Sequence, residues 1–132
     1  MELVDPFINR ELIQKDLSHL ESFGPTNWVG FSPVECSSMN SYIRNGEQAL
    51  KHLKDFECFT HPNGFHMNTD YKRTGYNEFG PYVLTLEANI GYLKSLADMM
   101  IQNYEDKLVI FPSIANSLKE GGVSFENLRT FG

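Results

Sequence analysis

The chain has 132 residues, of which 41% are hydrophobic and 21% are charged, and its formal net charge is −6. This length suits one small domain with a modest hydrophobic core, and the composition is that of an ordinary folded chain. A net negative charge gives no attraction to phosphate backbones, so we expect no nucleic-acid partner. No apolar run approaches the length of a membrane span, so we expect no membrane partner either.

The first half of the chain predicts three helices. Apolar residues recur at helical spacing over residues 7–23, and Gly24-Pro25 ends this first helix. A second helix begins after a cap at Ser32 and ends at Asn45-Gly46, and a third spans residues 47–56. Because so short a stop separates the second and third helices, we expect them to form an antiparallel hairpin.

Residues 58–81 break the helical pattern. This stretch, CFTHPNGFHMNTDYKRTGYNEFGP, is too long for a simple connector, and its aromatic residues favour an ordered binding loop. We predict that Tyr71, Tyr76 and His66 contact a ligand. His61 and His66 lie five residues apart, which fits no standard zinc pattern, and ordinary hydrogen bonding in the loop is the simpler interpretation of both. We therefore expect no metal and no cofactor.

A fourth, amphipathic helix is predicted from about Thr85 to about Asn103. Its apolar stripe consists of Leu86, Ile90, Leu93, Ala97, Met100, Ile101 and Tyr104. Its polar face consists of Glu87, Gly91, Lys94, Asp98 and Gln102.

The end of the chain predicts a short β element. Residues 107–112, KLVIFP, have the composition of a strand, and a second strand follows Gly121-Gly122, where Val123, Phe125 and Leu128 roughly alternate. The predicted fold is therefore mainly α. Helical hairpins over residues 7–104 precede a β region that begins within residues 107–132, and the 132 residues form a single domain or a fragment of one.

Three residues outside the loop suit more than one role. Glu87 begins the fourth helix, where the helix dipole favours a carboxylate, and Asn89 is equally ordinary there as a polar surface residue. Trp28, the only tryptophan, suits either a core anchor or a platform for a sugar. No P-loop, GxGxxG or GxSxG motif is present, so the residues alone leave the function open.

The order of the segments resembles the end of the catalytic domain in glycoside hydrolase family 95. The segments that carry the resemblance are LEANIG, DMMIQNY, LVIFPSIANSL and GGVSFENLRTFG, preceded by NWVGFSPVECSSMNSYIRNGEQALKHLKDF. Together they cover roughly residues 9–132. The family consists of inverting α-L-fucosidases and α-L-galactosidases, whose catalytic domain is an (α/α)6 toroid followed by a β-sandwich. The resemblance therefore implies part of a toroid and a carbohydrate partner.

The resemblance also implies roles for single residues. Glu87 matches the position of the general base that activates the attacking water, where the family usually has Asp, and Asn89 and Gly91 match the residues after it. Ala88 and Tyr92 depart from the glycines that are common there. An inverting glycosidase needs a second carboxyl group about 6.5–9.5 Å away as the acid. In the family this acid lies on upstream segments, and no counterpart is identifiable here, so we expect no activity from these 132 residues alone.

Three interpretations stay open. The chain is a C-terminal fragment of such a glycosidase, or a non-catalytic carbohydrate-binding or interaction module, or a small helical structural protein that matches by chance. A fragment of a toroid would expose apolar helix faces, and such faces favour self-association.

Overall fold

The structure is a computed structural model that describes residues 6–67, 84–104 and 107–127. It is mainly helical and has a short two-stranded antiparallel sheet in its C-terminal part, as the sequence predicts. The helices are α1 (Pro6–Phe23), α2 (Phe31–Tyr42), α3 (Gly46–Asp55), α4 (Leu86–Met100) and α5 (Asn116–Gly121). The strands are β1 (Ile101–Tyr104) and β2 (Lys107–Ile110), and single 3₁₀ turns form at Pro25–Asn27 and Phe56–Phe59.

The first three helices confirm the sequence prediction closely. Gly24 ends α1 with a φ of 70°, in the left-handed region that glycine adopts without strain. Asn45 caps α3, because its side-chain oxygen accepts a hydrogen bond from the backbone nitrogen of Gln48 at 3.4 Å. The predicted cap of α2 at Ser32 is wrong. The helix begins two residues earlier than such a cap implies, at Phe31, and its N-cap is Gly30.

The second helix organises the core. It packs against α1, α3 and α4. Between α1 and α2, the buried side chains of Leu17, Trp28 and Cys36 form one cluster. Between α3 and α4, Leu53 and Met99 belong to another. The α2–α3 hairpin is therefore the scaffold on which α4 is placed.

The core-facing side of α4 consists mainly of small residues. Ala88, Ser95 and Met99 are buried there. A Cβ on Gly91 would lie only 3.0 Å from Cγ2 of Val34, so the absence of a side chain lets the two helices approach closely. The hydroxyl of Ser95 donates to the backbone oxygen of Val34 at 2.8 Å, which ties α4 to α2.

The first three residues of the predicted apolar stripe of α4 face away from the core. Leu86, Ile90 and Leu93 are 60%, 59% and 65% exposed. A pattern of large apolar residues normally marks the buried side of a helix. Here close packing by the small residues on the opposite side determines the orientation, and the aliphatic row is left on the surface.

The end of α4 and its sheet also differ from the prediction. The helix ends at Met100 rather than near residue 103, and Ile101–Tyr104 form β1. The partner of β2 is this adjacent strand, paired as Ile101↔Ile110, and not the segment after residue 121. A local hairpin closes a much shorter loop and so costs less entropy. Residues 116–121 form α5, residues 122–127 are not in a strand, and Leu128 lies outside the described residues.

Candidate functional site

The first turn of α4 brings three of the predicted site residues into one neighbourhood. Glu87 lies in this turn with its side chain exposed to solvent. Asn89 lies two residues after Glu87 and contacts the loop residue His66. The charge of Glu87 also acts on the imidazole of His66. The structure therefore groups Glu87, Asn89 and His66 at the beginning of α4.

The side-chain amide of Asn89 fastens the loop to the helix. The backbone nitrogen of His66 donates to Oδ1 of Asn89 at 3.0 Å, and Nδ2 of Asn89 donates to the backbone oxygen of His66 at 3.0 Å. The same Nδ2 donates to the backbone oxygen of Thr85 at 2.7 Å. The amide thus pairs with both backbone groups of His66 as a neighbouring strand would. Asn89 is a positioning residue, not the ordinary surface residue that its local sequence suggests.

His66 is buried and held in one tautomer. Its side chain packs so closely on Gly30 that a Cβ there would lie 2.4 Å from Cε1 of the ring. Its Nδ1 lies 2.9 Å from the backbone oxygen of Phe59, so we place the proton on Nδ1, which donates to that oxygen. Burial lowers the pKa of His66, and this outweighs the opposing effects of the Phe59 hydrogen bond and the Glu87 charge. A neutral imidazole in this position orders the loop and offers no surface to a ligand.

Trp28 is a core anchor. Its side chain is 4% exposed and belongs to the cluster between α1 and α2. Its indole nitrogen donates to the backbone oxygen of Leu20 at 3.1 Å, which satisfies the polar atom inside the core. Of the two alternatives for this residue, the structure favours packing, because a buried ring face cannot stack on a sugar. Tyr71 and Tyr76 lie outside the described residues.

An apolar groove runs beside the Asn89 contact. Its volume is ≈ 480 Å³, and its walls come from α4 and from the segment around the Phe56–Phe59 turn. The lining residues are Phe56, Glu57, Thr60, Gly64, Phe65, Leu84, Leu86, Asn89, Ile90, Tyr92 and Leu93. Glu87 is not among them. The sequence analysis did not predict this groove. It treated the large apolar residues of α4 as the buried side, whereas the small residues on the opposite side are the ones that pack on the core.

A second polar cluster lies between α1 and α3. The side chain of His52 is buried, with its Nε2 2.8 Å from Oε1 of Glu21 and its Nδ1 3.4 Å from Oδ2 of Asp55. Nearby, burial and then the charges of Glu21, Glu35 and Asp55 raise the pKa of Cys36 to about 12. This thiol therefore stays protonated at neutral pH and is a poor nucleophile.

The sequence did carry a signal for this cluster. His52 lies on the apolar side of the third predicted helix, together with Ala49, Leu53 and Phe56. A histidine that is buried there needs a hydrogen-bond partner, because burying an unpaired polar group costs free energy. Within the described ranges, no three or more His, Cys, Asp or Glu side chains converge as metal ligands. Over the same residues, no helix is both long enough and apolar enough to cross a membrane.

No protein-family model, curated protein or solved structure matches this chain. The resemblance to family 95 therefore stays a prediction from the sequence segments alone.

Proposed function

We propose that the chain is the C-terminal part of the helical catalytic domain of a glycoside hydrolase similar to family 95, with Glu87 as its general base. The observation that supports this most is the position of Glu87. It is exposed in the first turn of α4, while Asn89, two residues later, holds the adjoining loop in place. A general base needs access to water and a fixed backbone, and this arrangement supplies both.

The surface of α4 is consistent with a place among further helices. Helices of a toroid contact neighbours on two sides, and α4 has a packed small-residue side and an opposite aliphatic side. Leu86, Ile90 and Leu93 would be buried by an additional helix of a longer protein.

The proposed reaction is the hydrolysis of an α-L-fucoside or α-L-galactoside with inversion. Glu87 removes a proton from a water molecule, whose oxygen attacks the anomeric carbon while a carboxylic acid protonates the leaving oxygen. In the family this acid lies on segments upstream of those matched here. Glu87 alone supplies only half of the required pair, so the 132-residue chain is proposed to be inactive by itself.

The test begins with the gene upstream of the Met1 codon. If the reading frame continues into further helical hairpins, the longer protein is assayed with aryl α-L-fucosides and α-L-galactosides. The variant E87Q should lose about 10²–10⁴-fold in turnover, because loss of a general base has that effect. The variant E87D is the matched control and should keep activity, because the family usually has Asp there. Unchanged hydrolysis by E87Q would contradict the assignment of Glu87.

A second candidate function is a non-catalytic carbohydrate-binding or interaction module. The apolar groove beside α4 favours it, since its lining includes the half-exposed ring of Phe65 and the exposed side chains of Leu86 and Leu93. Titration calorimetry of the 132-residue chain with L-fucose and L-galactose tests carbohydrate binding. We predict that Y71A or Y76A weakens any binding observed, and no change in either variant would remove the loop from the site.

A further inference from the structure

The aliphatic row on α4 is the basis of this inference. Leu86, Ile90 and Leu93 follow one another at i, i+4 and i+7, which places them on a single helix face. Each is about 60% exposed, and Leu84 and Phe65 extend the row at 46% and 52% exposure. Exposed aliphatic residues scattered singly are common on proteins, whereas a contiguous row marks a surface that binds another surface.

The charges beside the row have a definite order. Glu87 and Lys94 are seven residues apart, so they lie on the same flank of α4. Both are solvent-exposed. Within the chain, Lys94 contacts Asp98 at 2.5 Å and the hydroxyl of Tyr42 at 3.0 Å, which keeps its amino group on this flank. Along this edge of the row, Glu87 therefore lies at one end, and Lys94, which shares its charge with Asp98, lies at the other.

A second copy of this helix complements that order. In a two-fold interface, each residue i of one copy that contacts residue j of the other is matched by the reverse contact. If two α4 helices pack antiparallel about an axis near Ile90, Glu87 of each copy lies opposite Lys94 of the other. A parallel two-fold pair would instead place this flank of one copy on the opposite side of the interface from the same flank of the other, so no Glu87–Lys94 pair would form. The same symmetry packs Leu86 of one copy near Leu93 of the other.

We propose that the chain forms a homodimer in which α4 packs antiparallel on α4 of a second copy, with Leu86, Ile90 and Leu93 at the centre and Glu87–Lys94 pairs at the edge. A single helix face is a small interface, so the dimer is reversible and depends on concentration. The proposal concerns the 132-residue chain by itself, because an additional helix of a longer protein would occupy the same face, and it needs no catalytic activity. It can therefore fail while the glycosidase proposal stands, and the reverse also holds.

The first test compares two matched substitutions by analytical ultracentrifugation over a wide range of protein concentration. I90D places a charge at the centre of the proposed interface, whereas L12D places the same charge on α1, where Leu12 is similarly exposed. We expect dimers of the wild type and of L12D, and monomers of I90D with an unchanged circular dichroism spectrum. A wild-type chain that is monomeric at every concentration would overturn the proposal, and so would a dimer that I90D leaves intact.

The second test addresses the antiparallel arrangement. E87K should weaken the dimer about tenfold, because it replaces two ion pairs by two like-charge contacts. The double variant E87K/K94E exchanges the two charges and should restore part of the affinity. E11K is the control, since Glu11 is an exposed glutamate on α1. A dimer that I90D disrupts but E87K does not would support the face and overturn the antiparallel pairing.

Discussion

The Nε2 atom of His52 on α3 lies 2.8 Å from Oε1 of Glu21 at the end of α1. The imidazole is buried beside the ring of Trp28, with a centroid distance of 5.6 Å. Its other nitrogen, Nδ1, lies 3.4 Å from Oδ2 of Asp55. This contact joins the first helix to the α2–α3 hairpin at the point where α1 ends and the chain turns back, so it belongs to the framework that carries α4.

We predict that H52A lowers the free energy of unfolding by about 2–4 kcal/mol. The substitution removes a buried ring, leaves a cavity beside Trp28 and deprives Glu21 of its partner. H19A is the matched control. His19 is exposed, and within the described residues its ring contacts the edge of Phe23 at a centroid distance of 4.9 Å, so its loss should cost less than about 0.5 kcal/mol. Urea unfolding followed by circular dichroism measures both, and equal stabilities would contradict the structural role of His52.

Gly30 gives a second prediction about stability. Its φ of −55° suits any residue, but a Cβ there would lie 2.4 Å from Cε1 of the His66 ring. Because the ring is buried, it cannot move aside cheaply, and G30A should destabilise the fold by roughly 1–3 kcal/mol. G121A is the control, since nothing lies within 4 Å of a Cβ at that position. Thermal unfolding of the two variants distinguishes a steric effect at Gly30 from the general effect of a glycine-to-alanine change.

From the raised pKa of the Cys36 thiol we predict that the fold loses stability at alkaline pH. Its pKa is raised in the folded chain from 9.0 to about 12, chiefly by burial. A group whose folded pKa lies above its unfolded pKa stabilises the fold fully below the unfolded value, and this contribution is lost as pH rises toward the folded value. At pH 10 the loss should be on the order of 1 kcal/mol relative to pH 7.

The measurement for Cys36 is urea unfolding at pH 7 and at pH 10, with C36A and C58A alongside the wild type. C36A should lose less stability between the two pH values than the wild type does, because it lacks the thiol that ionises in the unfolded chain but stays protonated in the folded one. Cys58 is exposed, so C58A should follow the wild type. Identical pH dependence in all three proteins would show that folding does not raise the pKa of Cys36.

The sequence predicts the helices well but not the face by which α4 packs. Periodicity placed α1, α2 and α3 within one or two residues of their observed bounds, because their breakers are clear glycine, proline and asparagine signals. On α4 the large apolar residues predicted one face as the buried face. The helix instead packs by the opposite face, which carries Ala88, Gly91 and Ser95. Small residues contribute little to a hydrophobic pattern, although they allow the closest approach of two helices.

The candidate site shows a related limit. The position of Glu87 at the start of a helix was readable from sequence, because helix starts have local signals. The pairing of Asn89 with His66 joins residues 23 positions apart. No local pattern specifies such a contact, and an asparagine near a helix start has the same appearance whether or not it binds a distant loop.

We predict that N89A releases the loop from α4. The substitution removes the acceptor for the backbone nitrogen of His66 and the donor for its backbone oxygen. Leaving the partly buried backbone nitrogen of His66 without its acceptor costs about 1–3 kcal/mol, so the free energy of unfolding should fall by that order. N63A is the matched control, because Asn63 also accepts a backbone hydrogen bond, from Phe65, but in an exposed turn.

Amide hydrogen exchange gives the decisive measurement for Asn89. The His66 amide should exchange slowly in the wild type and in N63A, and much faster in N89A, because Asn89 supplies its acceptor. N89D should be intermediate, since a carboxylate still accepts from the amide but no longer donates to the His66 oxygen. In a longer, active protein, N89A should also lower turnover, because Glu87 shares the same helical turn and its backbone would lose the support of the loop. A His66 amide that stays slow in N89A would show that the rest of the structure holds the loop without this side chain.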